Sequence, residues 1–271
     1  MRSKGLVDIS LHISVLASGS SGNSILVSTD RHKILVDAGL SGKRIVHLLD
    51  QIGVSGQELD AILITHEHVD HIRGAGILSR RFDLPIYANQ GTWAQMSDCL
   101  GKISAANCQV FDGAFSLGAM DILPFAIPHD AADPIGYVIR VGKDQVGIAT
   151  DMGQVTSTAI EALKGVTHVV LESNHDLEML KYGHYPWNLK KRIMGARGHL
   201  SNDDAGACVV KLAEFCTPCI YLAHLSKDNN IPELAYLTVK NTIEAYGLTL
   251  DKDVRLELTF RDRPTDLFQV G

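Results

Sequence analysis

Four apolar, strand-like segments of this chain each run directly into a residue that can bind a metal ion. The segments are 61–65, 122–128, 146–150 and 219–223, and the residues that follow them are His66, His129, Asp151 and His224. Strand ends in the core of a sheet converge on one rim, where a rigid scaffold can hold a functional site. The pattern therefore predicts a β-sheet core that gathers these four side chains at one edge.

The first of these residues opens an HxHxDH cluster, which runs from His66 to His71. His66 and His68 lie two residues apart in predicted extended backbone, so their imidazoles point to the same side. Asp70 and His71 adjoin at a predicted helix start, where their side chains diverge and can bind a second ion. A carboxylate such as Asp151 can bridge two cations. Two ions about 3.5–4 Å apart can share a hydroxide that acts as nucleophile at neutral pH.

The predicted ligands divide into two groups that share one carboxylate. One ion is assigned to His66, His68 and His129, the other to Asp70, His71 and His224, and Asp151 is shared between them. Asp37, which ends the apolar strand 33–36, is placed to hydrogen-bond a ligand imidazole. Taken alone, His129 or His224 fits a structural histidine and Asp151 fits a cap, but beside the HxHxDH cluster they become ligand candidates. A His/Asp set accepts zinc, manganese or iron, so we expect two divalent ions of these kinds.

The wider pattern predicts an α/β protein with one domain over residues 1–271. Alternation of apolar and polar residues over 7–15 indicates a half-buried strand and not a signal peptide. Further strands are predicted at 23–28, 33–37, 60–65, 85–88, 108–111, 120–127, 135–141, 145–150, 167–172, 218–223 and 254–260. Helices are predicted at 42–52, 70–81, 90–100, 156–164, 186–194, 201–215 and 232–246, with Ser201 as an N-cap and Pro186 and Pro232 in first turns. Elements of both types in both halves indicate two sheets covered by outer helices.

Charge and cysteine content limit the classes of partner and compartment. The formal net charge of −6 argues against broad adhesion to nucleic acid or to an anionic membrane. It does not exclude a phosphodiester substrate, because bound cations and the local charge at the site determine whether an anionic substrate binds. Five scattered cysteines form no disulfide framework and favour a cytoplasmic protein, with Cys216 and Cys219 interpreted as small buried hydrophobes. No apolar run approaches membrane-spanning length.

Over nearly its whole length the chain resembles the metallo-β-lactamase superfamily of hydrolases. Asp37, the HxHxDH cluster, His129, Asp151 and His224 match the five sequential motifs of that family. The resemblance implies a four-layer αβ/βα sandwich of two mixed sheets flanked by helices, with the metals at one edge between the sheets. Segments 17–24, 128–130, 171–176, 198–202 and 223–226 are similar to those of the YycJ (WalJ) branch. That similarity implies a cytoplasmic 5′→3′ DNA exonuclease that uses manganese or zinc and has no inserted β-CASP domain.

Residues outside the ligand set are candidates for contact with the substrate. Ser18, Ser20, Ser21 and Asn23 offer hydroxyls and backbone N–H groups that suit a phosphate, although such runs also join hairpin strands. His175 or His199 could donate a proton to a leaving group or hold a phosphate oxygen, and either could instead be a structural residue. Ser201 and Asn202 could contact substrate, while Ser201 is explained equally well as an N-cap.

Two further points concern the substrate. Lys190, Lys191, Arg192 and Arg197 could follow a DNA backbone or form a solvated helix face. The favoured hypothesis is a DNA phosphodiesterase in which a metal-bridging hydroxide attacks phosphorus, with Asp70 and Asp151 orienting it. The alternative is a small-molecule hydrolase for a thiolester, lactone or cyclic nucleotide, because thiolesterases of this superfamily share the ligand set. A non-catalytic, metal-stabilised regulatory protein is disfavoured, since both ligand groups are complete.

Overall fold

Fourteen strands form two seven-stranded β-sheets, and the computed structural model describes residues 10–271. The strands are β1 Leu11–Ala17, β2 Ser24–Ser28, β3 Lys33–Val36, β4 Ala61–Leu63, β5 Ile86–Ala88, β6 Cys108–Val110, β7 Phe115–Leu117, β8 Met120–Ala126, β9 Ile135–Val141, β10 Asp144–Ala149, β11 His168–Glu172, β12 Cys219–Ala223, β13 Arg255–Leu258 and β14 Phe268–Val270. The first sheet has the order β14–β1–β2–β3–β4–β5–β6, and the second has β13–β12–β11–β10–β9–β8–β7.

Helices connect the strands and cover the outer faces of the sheets. They are α1 Gly42–Gln51, α2 Val69–Ile72, α3 Ala75–Phe82, α4 Gln90–Met96, α5 Ser157–Leu163, α6 Leu177–Tyr182, α7 Trp187–Ile193, α8 Asn202–Ala213 and α9 Pro232–Ala245. Both sheets are mixed. In the first, β3 to β6 are parallel while β14, β1 and β2 are antiparallel. In the second, β10 to β13 are parallel while β7, β8 and β9 are antiparallel.

Three apolar clusters separate four layers of structure. Between the sheets, side chains of both sheets meet, among them Val36 of β3 and Ile148 of β10. On the outer face of the first sheet, Leu35 packs with residues of α1 and α3. On the outer face of the second, Val169 packs with residues of α8 and α9. Successive strand residues point to opposite faces, so the apolar runs on both sides of each sheet confirm the expected four-layer αβ/βα sandwich.

Two hydrogen bonds join the two sheets next to the edge where the predicted ligands lie. Tyr137 of β9 is fully buried, and its hydroxyl donates to the Ile64 carbonyl at 2.7 Å. The backbone N–H of Ile135 also donates to the Thr65 carbonyl at 3.2 Å. Both acceptors lie between β4 and His66, so the second sheet helps to position the start of the HxHxDH cluster.

Several predicted elements differ from the observed ones. The helix predicted at 70–81 is two helices, α2 and α3, because the Gly74 N–H bonds the Ala38 carbonyl at 2.7 Å and a Cβ on Gly74 would lie 2.3 Å from the Leu40 carbonyl oxygen. The short elements β7, α6 and β14 were not predicted. Helix α4 ends at Met96 and passes into a 3₁₀ turn. Of the strand predicted at 7–15, residues 7–9 lie outside the described residues.

The predicted caps and cysteine environments can be compared directly with the structure. Ser201 is the N-cap of α8 and Pro232 is the first residue of α9, as expected, whereas Pro186 lies one position before α7. All five cysteines lie in the described part of the chain and are free thiols. Cys219 is buried and Cys216 is half-buried. Within residues 10–271 there is also no helix long and apolar enough to cross a bilayer.

Candidate metal centre

The predicted ligand residues lie together at one rim of the sandwich. Asp37 follows β3, His66 lies just beyond β4, Asp151 just beyond β10, and His224 directly after β12. All four are buried. The parallel strands of each sheet end at the same edge, so local sequence order brings these side chains together from both sheets.

The backbone bends sharply at three of these strand ends. Asp37, Asp151 and His224 have φ values of 61°, 57° and 55°, which lie in the left-handed region. L-residues enter this region rarely, and such conformations cost about 1–3 kcal/mol each when the surrounding structure enforces them. Among the described non-glycine residues only Asp83 and Asp251 share this property. The chain therefore concentrates backbone strain at the rim.

Seven side chains form what we call the donor set: His66, His68, Asp70, His71, His129, Asp151 and His224. His68 Nδ1 lies 3.1 Å from His66 Nε2 and 3.3 Å from His129 Nε2. One atom from each of these three imidazoles falls within 4.8 Å of the others. Asp70, His71 and His224 form a second group by the same measure. These are the two groups that the sequence spacing predicts.

Asp151 lies between the two groups. Its Oδ2 is 3.2 Å from His71 Nε2, and its Oδ1 is 3.9 Å from His129 Nε2. Oδ2 of Asp151 and Nε2 of His224 are buried and have no hydrogen-bond partner of acceptable geometry among the described residues. An unsatisfied buried polar atom costs about 1–3 kcal/mol, and coordination of a cation would satisfy both atoms. The orphaned atoms and the His/Asp chemistry thus fit divalent metal ions.

A family model described as Metallo-beta-lactamase superfamily matches residues 17–224, a span that contains the whole donor set. The chain belongs to the metallo-beta-lactamase superfamily. Within it, the chain is 41% identical over 259 residues to exodeoxyribonuclease YycJ of Bacillus anthracis, which covers 95% of this chain and 98% of that protein. It is 40% identical over 267 residues to exodeoxyribonuclease WalJ of Streptococcus pneumoniae, covering 97% of this chain and 99% of that one.

Solved structures of the superfamily share this fold. YhfI from Bacillus subtilis superposes with a TM-score of 0.73 at 16% identity and covers 97% of this chain and 100% of its own. Yeast PDE1 superposes with a TM-score of 0.72 at 14% identity and covers 96% and 99%. At such identities the likeness concerns the fold alone. The expected membership of the superfamily and its YycJ/WalJ branch is confirmed by the sequence relatives.

Two buried carboxylates accept hydrogen bonds from the Nδ1 atoms of histidines in the donor set. Asp37 Oδ2 accepts a hydrogen bond from His71 Nδ1 at 2.7 Å, which is the kind of contact that the sequence predicts for Asp37. The N–H and hydroxyl of Thr65 also donate to Asp37, both at 2.9 Å. Because a bond to Nδ1 fixes the tautomer, Nε2 of His71 is the atom free to bind a metal.

Glu172 is the second of these carboxylates, and no role for it is predicted from the sequence. Oε1 accepts from His199 Nδ1 at 2.7 Å and from His224 Nδ1 at 2.9 Å. Oε2 accepts the backbone N–H of Met152 at 2.7 Å. The sequence does carry a signal for this role. Glu172 directly follows the apolar run 169–171, and an acidic side chain at the end of a buried strand has to be paired with a donor. Its partners, however, come from three separate loops.

The two histidines that the sequence left as alternatives lie in different environments. His199 lines a cleft of about 220 Å³ beside the donor set, and its side chain is 22% exposed. Its ring centroid is 5.0 Å from that of His129. His175 is only 1% exposed, and its Nδ1 lacks a hydrogen-bond partner within residues 10–271. Only His199 therefore faces the space that a substrate can enter.

Four of the residues predicted to contact substrate have side chains that are buried and bonded within the protein. Ser18 Oγ accepts the His224 N–H at 2.7 Å, and Asn23 Nδ2 lies 3.1 Å from His71 Nε2, so both brace the donor set. Ser201 Oγ accepts the Asp204 N–H as the N-cap of α8, and the Asn202 side chain hydrogen-bonds to the side chains of Ser173 and Asn230. Ser20 and Ser21, by contrast, are exposed, and Ser20 lines the cleft.

The basic segment also divides into internal and exposed residues. Lys190 is buried, and its Nζ donates to the carbonyls of Lys181 at 2.9 Å and Gly183 at 2.6 Å. Arg197 Nε donates to the His129 carbonyl at 3.0 Å. Lys191 and Arg192 are exposed, and Arg192 pairs with Asp130 at the edge of the cleft. Arg197 is exposed as well, so Lys191, Arg192 and Arg197 are the cations of the segment that remain accessible to a polyanion.

The pKa values divide the histidines of the donor set into two kinds. Burial, together with the positive charge of His71, lowers the pKa of His66 well below its usual value, and burial lowers that of His129. For His224, burial also acts to lower the pKa, but Asp151, Asp70 and Glu172 together raise it to about 10. The carboxylates of Asp151 and Asp37 overcome burial in the same way and raise the pKa of His71. Without metal, His71 and His224 therefore hold protons at neutral pH.

We predict that substitution of Glu172 by Gln weakens metal binding by about 10–100-fold, the usual effect of losing a carboxylate behind a ligand histidine. The amide removes one negative charge and presents only one acceptor oxygen to His199, His224 and Met152. Competition against a chelating dye measures the affinity, and Glu161→Gln on exposed α5 is the matched control. A folded Glu172→Gln protein that binds metal as tightly as the parent would contradict this role.

Metal binding at pH 7 is predicted to release protons, up to about two per chain, because a ligand imidazole must be neutral. His224, with its pKa raised to about 10, and His71, whose pKa is also raised, are the sources. Protons compete with the metal below these pKa values, so the apparent affinity rises with pH up to about 10. Calorimetric titration in two buffers of different ionisation enthalpy measures the release, with His47→Gln as the control. Heats that are independent of the buffer would refute it.

Proposed function

We propose that this protein is a metal-dependent exodeoxyribonuclease that hydrolyses phosphodiester bonds of DNA. The observation that carries the proposal is the complete donor set, which opens onto a cleft in a chain that is 40–41% identical over nearly its full length to two exodeoxyribonucleases. A small-molecule substrate such as a thiolester or cyclic nucleotide uses the same donor chemistry, and it remains an outcome of the test below.

In this proposal two divalent ions bind to the donor set. His66, His68 and His129 would hold one ion, Asp70, His71 and His224 would hold the other, and Asp151 would be shared between the two groups. Such ions supply an activated water and neutralise charge on a phosphodiester. The imidazole and carboxylate donors suit zinc, manganese or iron. Asp37 and Glu172 orient the imidazoles, while Asp70 and Asp151 orient the attacking water through hydrogen bonds.

His199 is proposed as the group that protonates the leaving oxygen. Burial alone would lower the pKa of His199, but Glu172 raises it above its usual value, which favours the protonated imidazole. Its Nδ1 bonds Glu172, which leaves Nε2 as the atom that can reach substrate in the cleft. Burial instead lowers the pKa of His175 to about 4, so that side chain is neutral and cannot act as an acid.

The function is tested with purified protein, added Mn²⁺ or Zn²⁺, and 5′-phosphorylated linear duplex DNA labelled at either end. We expect mononucleotides to be released from one end, with 5′→3′ polarity, and closed circular DNA to resist. Chelation should stop the reaction. Asp70→Ala should lower kcat by at least about 100-fold, because a donor to one ion is lost, while the exposed Asp98→Ala should not change it. Turnover of a thiolester or cyclic nucleotide, with DNA left intact, would overturn the proposal.

Replacement of His199 by Gln is expected to lower kcat on DNA by about 100-fold or more, the typical contribution of a general acid. A thymidine 5′-(p-nitrophenyl phosphate) ester provides the decisive comparison, because its leaving group departs without a proton. On this ester His199→Gln should retain nearly full activity. His175→Gln is the matched control, and thermal melts verify that both variants are folded. Equal losses on the two substrates would show that His199 does not act as the acid.

A further inference from the structure

The cleft beside the donor set has one apolar wall and a polar mouth. Its volume is about 220 Å³. The wall consists of Tyr185, Leu189 and Ile193, and polar side chains complete the lining: Ser20, Asp130, Asn174, Arg192, His199 and Ser226. Three of the polar residues connect this space to the chemistry proposed above: His199 through Glu172, Arg192 through Asp130, and Asn174 through His224. The apolar wall has no role in holding a metal or moving a proton, so we expect it to contact part of a ligand.

Tyr185 is held rigidly in this wall. Its hydroxyl donates to Asp228 Oδ2 at 2.7 Å. The loop between α6 and α7, which carries Tyr185, is fixed by the buried Lys190 through the carbonyls of Lys181 and Gly183. A side chain on Gly183 is excluded, because its Cβ would lie 2.6 Å from the Met179 carbonyl oxygen. The ring is therefore presented to the cleft in one orientation, which lowers the entropy cost of binding a flat group.

Helix α7 supplies the rest of the wall from one face. Leu189 and Ile193 lie four residues apart and Arg192 lies three after Leu189, so the three side chains share a face of the helix. Trp187 and Lys191 lie on another face, where Lys191 Nζ sits 5.6 Å from the Trp187 ring centroid. One helix face thus places two aliphatic side chains beside Tyr185 and a guanidinium at the mouth.

Size and chemistry indicate what the cleft can hold. The volume lies below the about 300–1,000 Å³ of pockets that enclose drug-sized ligands, so it fits a single small ring system. One aromatic ring with two aliphatic neighbours suits stacking of a flat ring. The cation at the mouth and the adjoining donor set suit an attached phosphate. Stacking on an aromatic ring tolerates every base, as an enzyme that removes successive nucleotides requires.

We propose that this cleft binds the base of the terminal nucleotide of the substrate, stacked on Tyr185 between Leu189 and Ile193. The inference rests on the proposed exonuclease function and names the part of the DNA that the wall recognises. It makes Tyr185 a substrate-binding residue and the α6–α7 loop the element that sets the position of the DNA end.

The test combines protein variants with altered DNA ends. Tyr185→Ala should raise KM about tenfold on DNA with an intact terminal base, the size of effect seen when a stacking ring is removed. Tyr185→Phe should stay within about twofold of the parent, because the ring is retained. On DNA whose terminal residue is an abasic tetrahydrofuran, parent and Tyr185→Ala should have equal KM values. Tyr182→Ala is the matched control, since Tyr182 is 74% exposed and does not line the cleft.

Each outcome decides between base stacking and other roles of Tyr185. An equal rise in KM on intact and abasic ends would overturn the proposal and leave the exonuclease function standing. Loss of kcat on both ends, with unchanged KM, would overturn it as well, because this is the signature of a merely structural residue. If the parent degrades no DNA, the proposed function fails separately. Calorimetric binding of thymidine 5′-monophosphate against deoxyribose 5-phosphate then tests the cleft alone, and equal affinities would refute a base pocket.

Discussion

A buried carboxylate surrounded by imidazoles is the constraint on which the rest of the rim depends. The oxygens of Asp151 lie within 4 Å of nitrogens of His71, His129, His199 and His224. Burial alone would raise its pKa, but the positive charges of His224 and His71 hold it well below the usual range. A charge buried in this way is tolerated only when it is closely paired. Protons on His71 and His224 provide that pairing without metal, and divalent ions provide it when they bind.

The compensation of the buried Asp151 charge depends on contact between the two sheets. The first sheet supplies Asp37 and the HxHxDH cluster, and the second supplies His129, Asp151, Glu172 and His224. Asp151 of the second sheet pairs with His71 of the first, so this part of the charge compensation forms only where the sheets meet. The Tyr137 hydroxyl, bonded to the Ile64 carbonyl, ties the sheets together beside the donor set. Binding of metal to both sheets should therefore also stabilise their association, since a ligand that binds only the folded state shifts the folding equilibrium.

Local sequence patterns predicted the donor set well because its determinants are local. A buried strand that ends in His66, Asp151 or His224 can be recognised from one window of sequence. Glu172 was missed because its role depends on the placement of β11 between β10 and β12, which brings His199, His224 and Met152 to it. The internal contacts of Ser18 and Asn23 could not be predicted for the same reason. Their composition suits a phosphate, but long-range contacts with His224 and His71 occupy them.

The same distinction applies to secondary structure. The apolar periodicity of the longer strands and helices was sufficient to find them, whereas β14 spans three residues and is held by pairing with β1 at the other end of the chain. Likewise, the charged run at 190–192 does not reveal that Lys190 turns inward to fasten the α6–α7 loop while Arg192 faces the cleft. The strand β14 and the orientations of Lys190 and Arg192 depend on contacts that form only on folding.

The donor set and the substrate preference are set by different parts of the molecule. His66 to His71, His129, Asp151 and His224 match motifs shared across a superfamily of hydrolases, so they account for metal-assisted hydrolysis but not for the choice of substrate. That choice falls to the surfaces around the metals. Here these are the exposed Ser20, the pair Arg192–Asp130 and the α6–α7 loop with Tyr185. The net charge of −6 does not oppose a DNA substrate, because much of the local acidity belongs to a site that binds cations. The side chains that face the cleft include the Arg192 guanidinium paired with Asp130, the His199 imidazole and an apolar wall, a combination that suits a phosphate with a flat ring attached.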